Sequence, residues 1–438
     1  MAVVLFKILL ALVDGLLGAW VLRTRSMELP EGPFVRRAVA LQIIPALLLF
    51  AGLYLLGHQE PTSDVPGYYV PAARSVLAGQ VPFRDFNLSY APLFAYVGAA
   101  LMFLWNSGKV FALFAIVLNA VTLVLWHATA KAFFDRSTAR QCTVLFATSG
   151  HVLVQALLGT NQTWIGMALA ASTLLIARDR GTASGLVQAA AACATKVLAH
   201  VFWPALWMFA RRRTGVVLGA VLPMIATYGV FVALGAGAGL LYPLRYESEQ
   251  ISSGNIPYIL DLVLGGSGAA ERFIVDGLTL LALGAALGWL FLRTRTVSAS
   301  KRPMLLPAGL ALTGLILMLF SKKSFTGYVV FVMYPIVLML LAGVARRRAR
   351  VGFLIGFNAL LVAEPSLWFH LNGWSGGLRS WLAAGGGTSA AGFVCVDLVL
   401  LACYVYLAWL SVRWVQSTVD GAIADRKASQ SATACSLV

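Results

Sequence analysis

Lys109 to Ala130, KVFALFAIVLNAVTLVLWHATA, carries one formal charge, on its first residue, and no proline or glycine. At 1.5 Å per residue it makes a helix of roughly 33 Å, enough to cross a hydrocarbon core about 30 Å thick. Similar runs recur along all 438 residues, of which 60% are hydrophobic and only 11% charged, with a mean hydropathy of +0.82. Soluble domains carry about 25% charged residues, so this chain cannot cover a wet surface. The runs have helical length rather than the alternation of about ten residues in an outer-membrane barrel. They are read as helices that satisfy their own backbone hydrogen bonds in lipid.

The sequence therefore predicts an all-α, polytopic transmembrane bundle of about 11–13 spans. The candidate spans are 2–22, 38–56, 109–130, 141–157, 162–177, 183–197, 198–210, 214–234, 273–292, 303–320, 327–345, 351–370 and 390–412. Residues 183–210 read either as two short crossings or as one broken hairpin. Residues 1–412 form a single integral-membrane domain in this reading, and the Ser- and charge-rich tail 413–438 is expected to be a disordered cytoplasmic segment. Lys7 and the apolar run after it also resemble a signal peptide, but no small-x-small site precedes Arg23, so 2–22 is kept as an anchor.

A net charge of +16 invites a nucleic-acid reading. Its distribution argues otherwise. Arg36-Arg37, Arg211-Arg212-Arg213 and Arg346-Arg347-Arg348 stand at the ends of apolar runs, where basic residues mark the cytoplasmic side. The long loops 57–108 and 235–272 then fall outside the cytoplasm. This holds only if the apolar stretch 91–106 does not cross, so it is expected to lie on the membrane surface or re-enter it. Of the five cysteines, Cys142, Cys193, Cys395 and Cys403 fall in apolar runs, and no CxxC or His/Cys cluster supports a soft-metal site.

Few polar residues lie within the spans, chiefly Asp14, Asn119, Glu364 and Asp397. A carrier tends to keep its polar groups at mid-membrane, whereas here the reactive inventory sits in the loops. The densest part is His58 to Leu93, HQEPTSDVPGYYVPAARSVLAGQVPFRDFNLSYAPL. Asp64 follows the second span closely enough to lie at the lipid surface. By spacing it suits either a base or the cap of a helix over 68–78, for which Asp is favoured.

The pattern Asp64-x3-Tyr68-Tyr69-x2-Ala72-Ala73-x3-Leu77-x-Gly79-x2-Pro82-Phe83-x-Asp85, then Tyr90-x-Pro92-Leu93, resembles the first outer loop of the C-superfamily (GT-C) membrane glycosyltransferases. The nearest branches are the bacterial polyprenyl-phosphate-mannose-dependent mannosyltransferases and the glycosylphosphatidylinositol mannosyltransferases. Gly159-Thr160-Asn161-Gln162, Lys196 and Ser321-Lys322-Lys323-Ser324-Phe325-Thr326-Gly327-Tyr328 extend the likeness, the last as a Lys-x-Phe-x-x-Tyr element.

The resemblance implies a GT-C-like bundle in a bacterial plasma membrane, with its active site outside the cytoplasm. It implies inverting transfer of a hexose, mannose by preference, from a polyprenyl-phosphate sugar to a glycolipid or cell-envelope glycan acceptor. Asp64 would be the catalytic base and Asp85 the reserve. Lys322, Lys323, Arg74 and Arg245 would hold the donor phosphate, and Tyr68, Tyr69, Asn255 and Tyr328 the sugar or acceptor. Each has a plainer use: lysines that snorkel from a helix end, tyrosines in an interface belt, an Asn in a turn. The paired acid of some relatives is reduced to Asp64-Val65-Pro66, so no cofactor is implied and a divalent ion stays open. Membrane lipid is an expected partner and nucleic acid is not. The rival reading is a polytopic transporter or lipid flippase.

Overall fold

The computed structural model describes residues 1–249, 251–264, 269–299, 301–342, 347–372 and 387–435. Among these the chain is helical throughout, with no strand and a single isolated bridge, Pro82 to Phe86. Among the described residues eight helices are long and apolar enough to cross a membrane. They are Ala2–Val21, Glu31–Leu56, Lys109–Phe133, Arg213–Ala233, Ile274–Thr294, Arg302–Phe320, Arg348–His370 and Ala391–Gly421. Four shorter apolar helices, Phe94–Leu104, Gln162–Ala177, Leu198–Phe209 and Met333–Ala342, fill the gaps between them.

The expected span 141–157 is two helices, Arg136–Ala147 and Gly150–Leu157. The corner between them is fixed by Ser149, whose hydroxyl accepts from the Val152 N–H and donates to Asn358 Oδ1 at 2.6 Å. Its tightness has a steric cause. A Cβ on Gly150 would stand 2.3 Å from Ala11 Cα, and one on Gly18 2.1 Å from Thr148 Oγ1. Small residues thus let the first helix lie directly on the corner, the usual route to close helix packing in lipid.

The 183–210 stretch is also interrupted. Helix Gly181–Ala194 stops at Thr195-Lys196, and a short 3₁₀ segment, Val197–Phe202, leads into Trp203–Phe209. Phe94–Leu104 has 11 residues, about 16 Å of helix, which is too short to cross. The last helix, Gly387–Cys435, runs on through most of the tail expected to be disordered. Extending an anchored helix needs no new nucleus, and residues 413–435 contain no proline. Part of the 235–272 loop, residues 373–386 between the expected spans 351–370 and 390–412, and Arg346 lie outside the described residues.

The core gathers where Trp126 stacks on Tyr334 at 5.4 Å between centroids, against Phe146. Several long helices share one polarity. Ala2–Val21, Glu31–Leu56 and Arg347–Asn372 each have one end near Arg23, Arg36-Arg37 or Arg347-Arg348 and the other near residues 58–64. The basic clusters and the segment around Asp64 therefore occupy opposite ends of the bundle.

Candidate functional site

Asp64 stands just before a wide π-type turn, Val65–Tyr69, that leads into helix Val70–Leu77. Its side chain makes no capping hydrogen bond. Instead Oδ2 accepts from the Tyr90 hydroxyl at 2.6 Å, which leaves the carboxylate half-buried with acceptor capacity to spare. Tyr90 is held by main-chain pairing across a hundred residues of sequence: the Ala91 N–H donates to the Thr195 carbonyl at 3.0 Å and the Leu93 N–H to that of Cys193 at 2.8 Å. The first loop is thereby fastened to the end of helix Gly181–Ala194, next to Lys196.

Lys196 is 9% exposed. Its ammonium lies 5.0 Å from the centre of the Tyr90 ring and 5.4 Å from that of Tyr328, and it donates to the Tyr328 hydroxyl at 3.4 Å. Burial alone pulls this lysine down, but the Tyr328 oxygen and the Glu247 and Asp64 carboxylates outweigh it and lift the ammonium above the ordinary lysine value. Tyrosine faces suit an ammonium, because they steady a cation without neutralising it.

Asp64 and Lys196 open into one cavity of about 460 Å³. Thr62, Gln155, Thr160 and Gln162 add polar wall, and Val4, Lys7, Phe325, Leu361, Pro365 and Phe369 complete much of the rest. The Gln162 Oε1 is buried there without a partner among the described residues. Gly159-Thr160-Asn161-Gln162 forms this wall because Gly159, at φ +71°, turns the chain where a Cβ would crowd the Ala112 nitrogen at 3.0 Å. The Asn161 N–H donates to the Tyr69 hydroxyl at 3.1 Å.

Beside the cavity is a second layer. Tyr68 shares a 2.8 Å hydrogen bond with the Tyr246 hydroxyl, and Lys323 lies 4.6 Å from the centre of the Tyr246 ring. Lys323 also pairs with Glu247 at 2.6 Å. Burial holds it below the ordinary lysine value despite that carboxylate.

The two neighbouring lysines part company. Lys322 turns into the bundle and meets Asp276 at 2.7 Å, so it is held away from the cavity while Lys323 faces the tyrosine layer. Arg74 and Arg245 are exposed on short helices and do not line the cavity. Tyr69 is fully buried in an aromatic cluster with Tyr90, Phe94 and Phe111. Asn255 takes the plainer role: its Oδ1 accepts from the Tyr258 N–H at 2.9 Å and its Nδ2 donates to the Ser252 carbonyl at 2.8 Å. It caps helix Ile256–Leu264. Asp85 is taken up within its own loop, bound by Arg84 at 2.8 and 2.9 Å and by the Val81 N–H at 2.7 Å. The Arg84 guanidinium, with that N–H, holds its carboxyl down at about 2.

The structure thus brings together Asp64, Tyr68, Lys323 and Tyr328 of the expected set, and adds Tyr90, Lys196, Gln162 and Glu247. Lys196 and Gln162 already belong to the resemblance given above, though without a role, and Lys196 is also a lone charge in the otherwise small and apolar run 189–202. Among the described residues no three His, Cys, Asp or Glu side chains gather as a metal would require. Chemically the arrangement offers a carboxylate able to accept a proton and a fixed cation able to meet an anion, in one partly dehydrated space. The chain matches no protein-family model and no curated protein.

Proposed function

We propose that this protein is an inverting membrane glycosyltransferase of the GT-C kind. It moves a hexose, mannose by preference, from a polyprenyl-phosphate donor to a lipid-linked or cell-envelope glycan on the side of the membrane opposite the basic clusters. One observation carries the reading: the uncapped Asp64 carboxylate and the buried Lys196 amine share a cavity. In the reaction an acceptor hydroxyl attacks the sugar C1 from the face opposite the phosphate. The new C1–O bond forms as the C1–O(phosphate) bond breaks, and the phosphate leaves with the electron pair. Asp64 takes the hydroxyl proton. Lys196, with Lys323 behind it, offsets the charge growing on the phosphate, where a charge-assisted hydrogen bond is strongest out of bulk water. The positive-inside pattern supports an outward-facing site.

The test is transfer by the purified protein, given a polyprenyl-phosphate sugar and acceptor lipid in detergent, where no second compartment exists. The expected result is release of polyprenyl phosphate by the wild type and none by Asp64→Asn. Undiminished turnover in that variant would remove Asp64 from the reaction. A flippase would release nothing in this format.

A further inference from the structure

The cavity has a second cation that the transfer chemistry above leaves unused. Lys7 lies on the first helix about 8 Å from its start and lines the same space as Asp64 and Lys196. It makes no hydrogen bond or ion pair among the described residues. A lysine at this depth in a spanning helix ordinarily snorkels along the lipid-facing surface to the interface. This one faces an internal wall instead. The described lining residues carry the ammonium groups of Met1, Lys7 and Lys196, the first bonded to His370, and a single carboxylate, Asp64. An unpaired charge in a poorly solvated space is costly, so the surplus positive charge calls for an anion.

The wall around Lys7 says where that anion comes from. Val3 and Phe369 both line the cavity, yet they are 66% and 42% exposed on the outside of the bundle. They belong to the first helix and to helix Arg347–Asn372, both long and apolar enough to span. The mouth between them lies at the ends of two spanning helices, where the apolar Val3 and Phe369 stand beside Met1 and His370, whose ammonium and ring meet at 3.0 Å, and Val4, Leu361, Val362 and Pro365 continue it inward. Such a passage suits a chain-bearing ligand whose charged head must pass Lys7 before it reaches Asp64.

We infer that Lys7 is a second anion anchor, binding the phosphate of a lipid-borne ligand that enters from the membrane between the first helix and helix Arg347–Asn372. This rests on the transferase reading only in taking the ligand to be a substrate of that reaction. Two lipids carry the required chemistry, a polyprenyl monophosphate and an anionic phospholipid headgroup.

Equilibrium binding to the purified full-length protein separates them. Polyprenyl phosphate, phosphatidylglycerol, neutral polyprenol and inorganic phosphate would each be titrated against wild type, Lys7→Gln, Lys7→Arg and Asp64→Asn. The expected result is a loss of roughly ten- to a hundredfold in affinity for one or both lipid phosphates in Lys7→Gln. Lys7→Arg should retain binding, and polyprenol affinity should be the same in wild type and Lys7→Gln. The lipid that loses affinity identifies the source of the phosphate. Wild-type affinity of Lys7→Gln for both lipids overturns the anchor. Inorganic phosphate bound as tightly as the lipid phosphates overturns the membrane route. Lys7-dependent binding without any sugar transfer would leave this inference standing and sink the transferase reading, whereas transfer that depends on Asp64 but lipid binding that ignores Lys7 would do the reverse.

Discussion

At one end of the bundle Glu31 is surrounded. His127 Nε2 meets its Oε1 at 2.7 Å, Lys131 Nζ the same oxygen at 2.8 Å, and the buried Arg140 reaches Oε2 at 3.2 Å while covering the Phe34 ring. At the other end Asp64 accepts one described hydrogen bond, from a phenol, and looks into a cavity it shares with Lys196, whose ammonium lies against two tyrosine rings. The first carboxylate ties together the second helix, helix Lys109–Phe133 and helix Arg136–Ala147. The second ties down little. A group with most of its capacity unspent contributes less to the fold and is available to a ligand.

Exchanging each acid for its amide should separate these roles, and this contrast has the largest expected effect. Asp64→Asn should lower sugar transfer by roughly a thousandfold, within the 10²–10⁴ range of a general base, and leave the melting temperature unchanged. Glu31→Gln should do the opposite. It leaves the Arg140 cation buried without its carboxylate, at a cost of about 2 kcal/mol, while activity per folded molecule is kept. Thermal unfolding and transfer rate on the same preparations check both. A stability loss in Asp64→Asn as large as that in Glu31→Gln would erase the distinction.

The first helix sharpens the contrast, since it closes the cavity by resting on Gly150. Gly150→Val would press a side chain into the Ala11 backbone, and overpacking of this kind costs about 1–3 kcal/mol. The expected outcome is a lower melting temperature together with weaker lipid binding, as the wall bearing Lys7 is displaced. Unchanged melting would mean that the first helix moves off the corner freely.

Lys322 and Lys323 repeat the comparison within two residues. Lys322→Gln should cost about 0.5–1 kcal/mol by removing the pair to the half-exposed Asp276, with the transfer kinetics intact. Lys323→Gln, which loses its pair to Glu247, should cost a similar amount and in addition lower transfer roughly tenfold. A double-mutant cycle with Asp276→Asn should find coupling for Lys322 and none for Lys323.

The spans were legible wherever composition alone decides. Lys109–Phe133 and Arg213–Ala233 begin and end within a few residues of the expected bounds, because a long uncharged run has no alternative in lipid. The corner at Thr148-Ser149 was not: Ser149-Gly150 is a local cap and break, but it lies inside an apolar run long enough to be taken as one span, and its tightness comes from the first helix docking against Gly150. The site divides in the same way. Asp64 and Tyr68 stand out in a dense polar loop, whereas Lys196 reaches them only through main-chain pairing of residues 91–93 with 193–195. No pattern within either segment announces that contact. Asn255 and Asp85 show the converse: each reads as a candidate ligand, and each has its hydrogen bonds consumed a few residues away.

Asp85 supplies the smallest effect and the last contrast with Asp64. Its carboxyl is held at about 2 by Arg84 and the Val81 N–H, below the value of about 3.9 for an unfolded Asp. A depressed value of this kind gives stabilisation that is complete above about pH 4 and fades as the pH falls toward 2. The turn 81–86 should therefore loosen only in acid, seen as faster proteolytic cutting at Arg84 in protein sampled after brief exposure between pH 4 and 2. Asp85→Asn should remove that dependence, cut equally at every pH, and leave sugar transfer at neutral pH within about twofold of wild type, as expected for a surface group away from the reacting atoms. A collapse of transfer in Asp85→Asn would instead move the base from position 64 to the loop that now holds its own carboxylate.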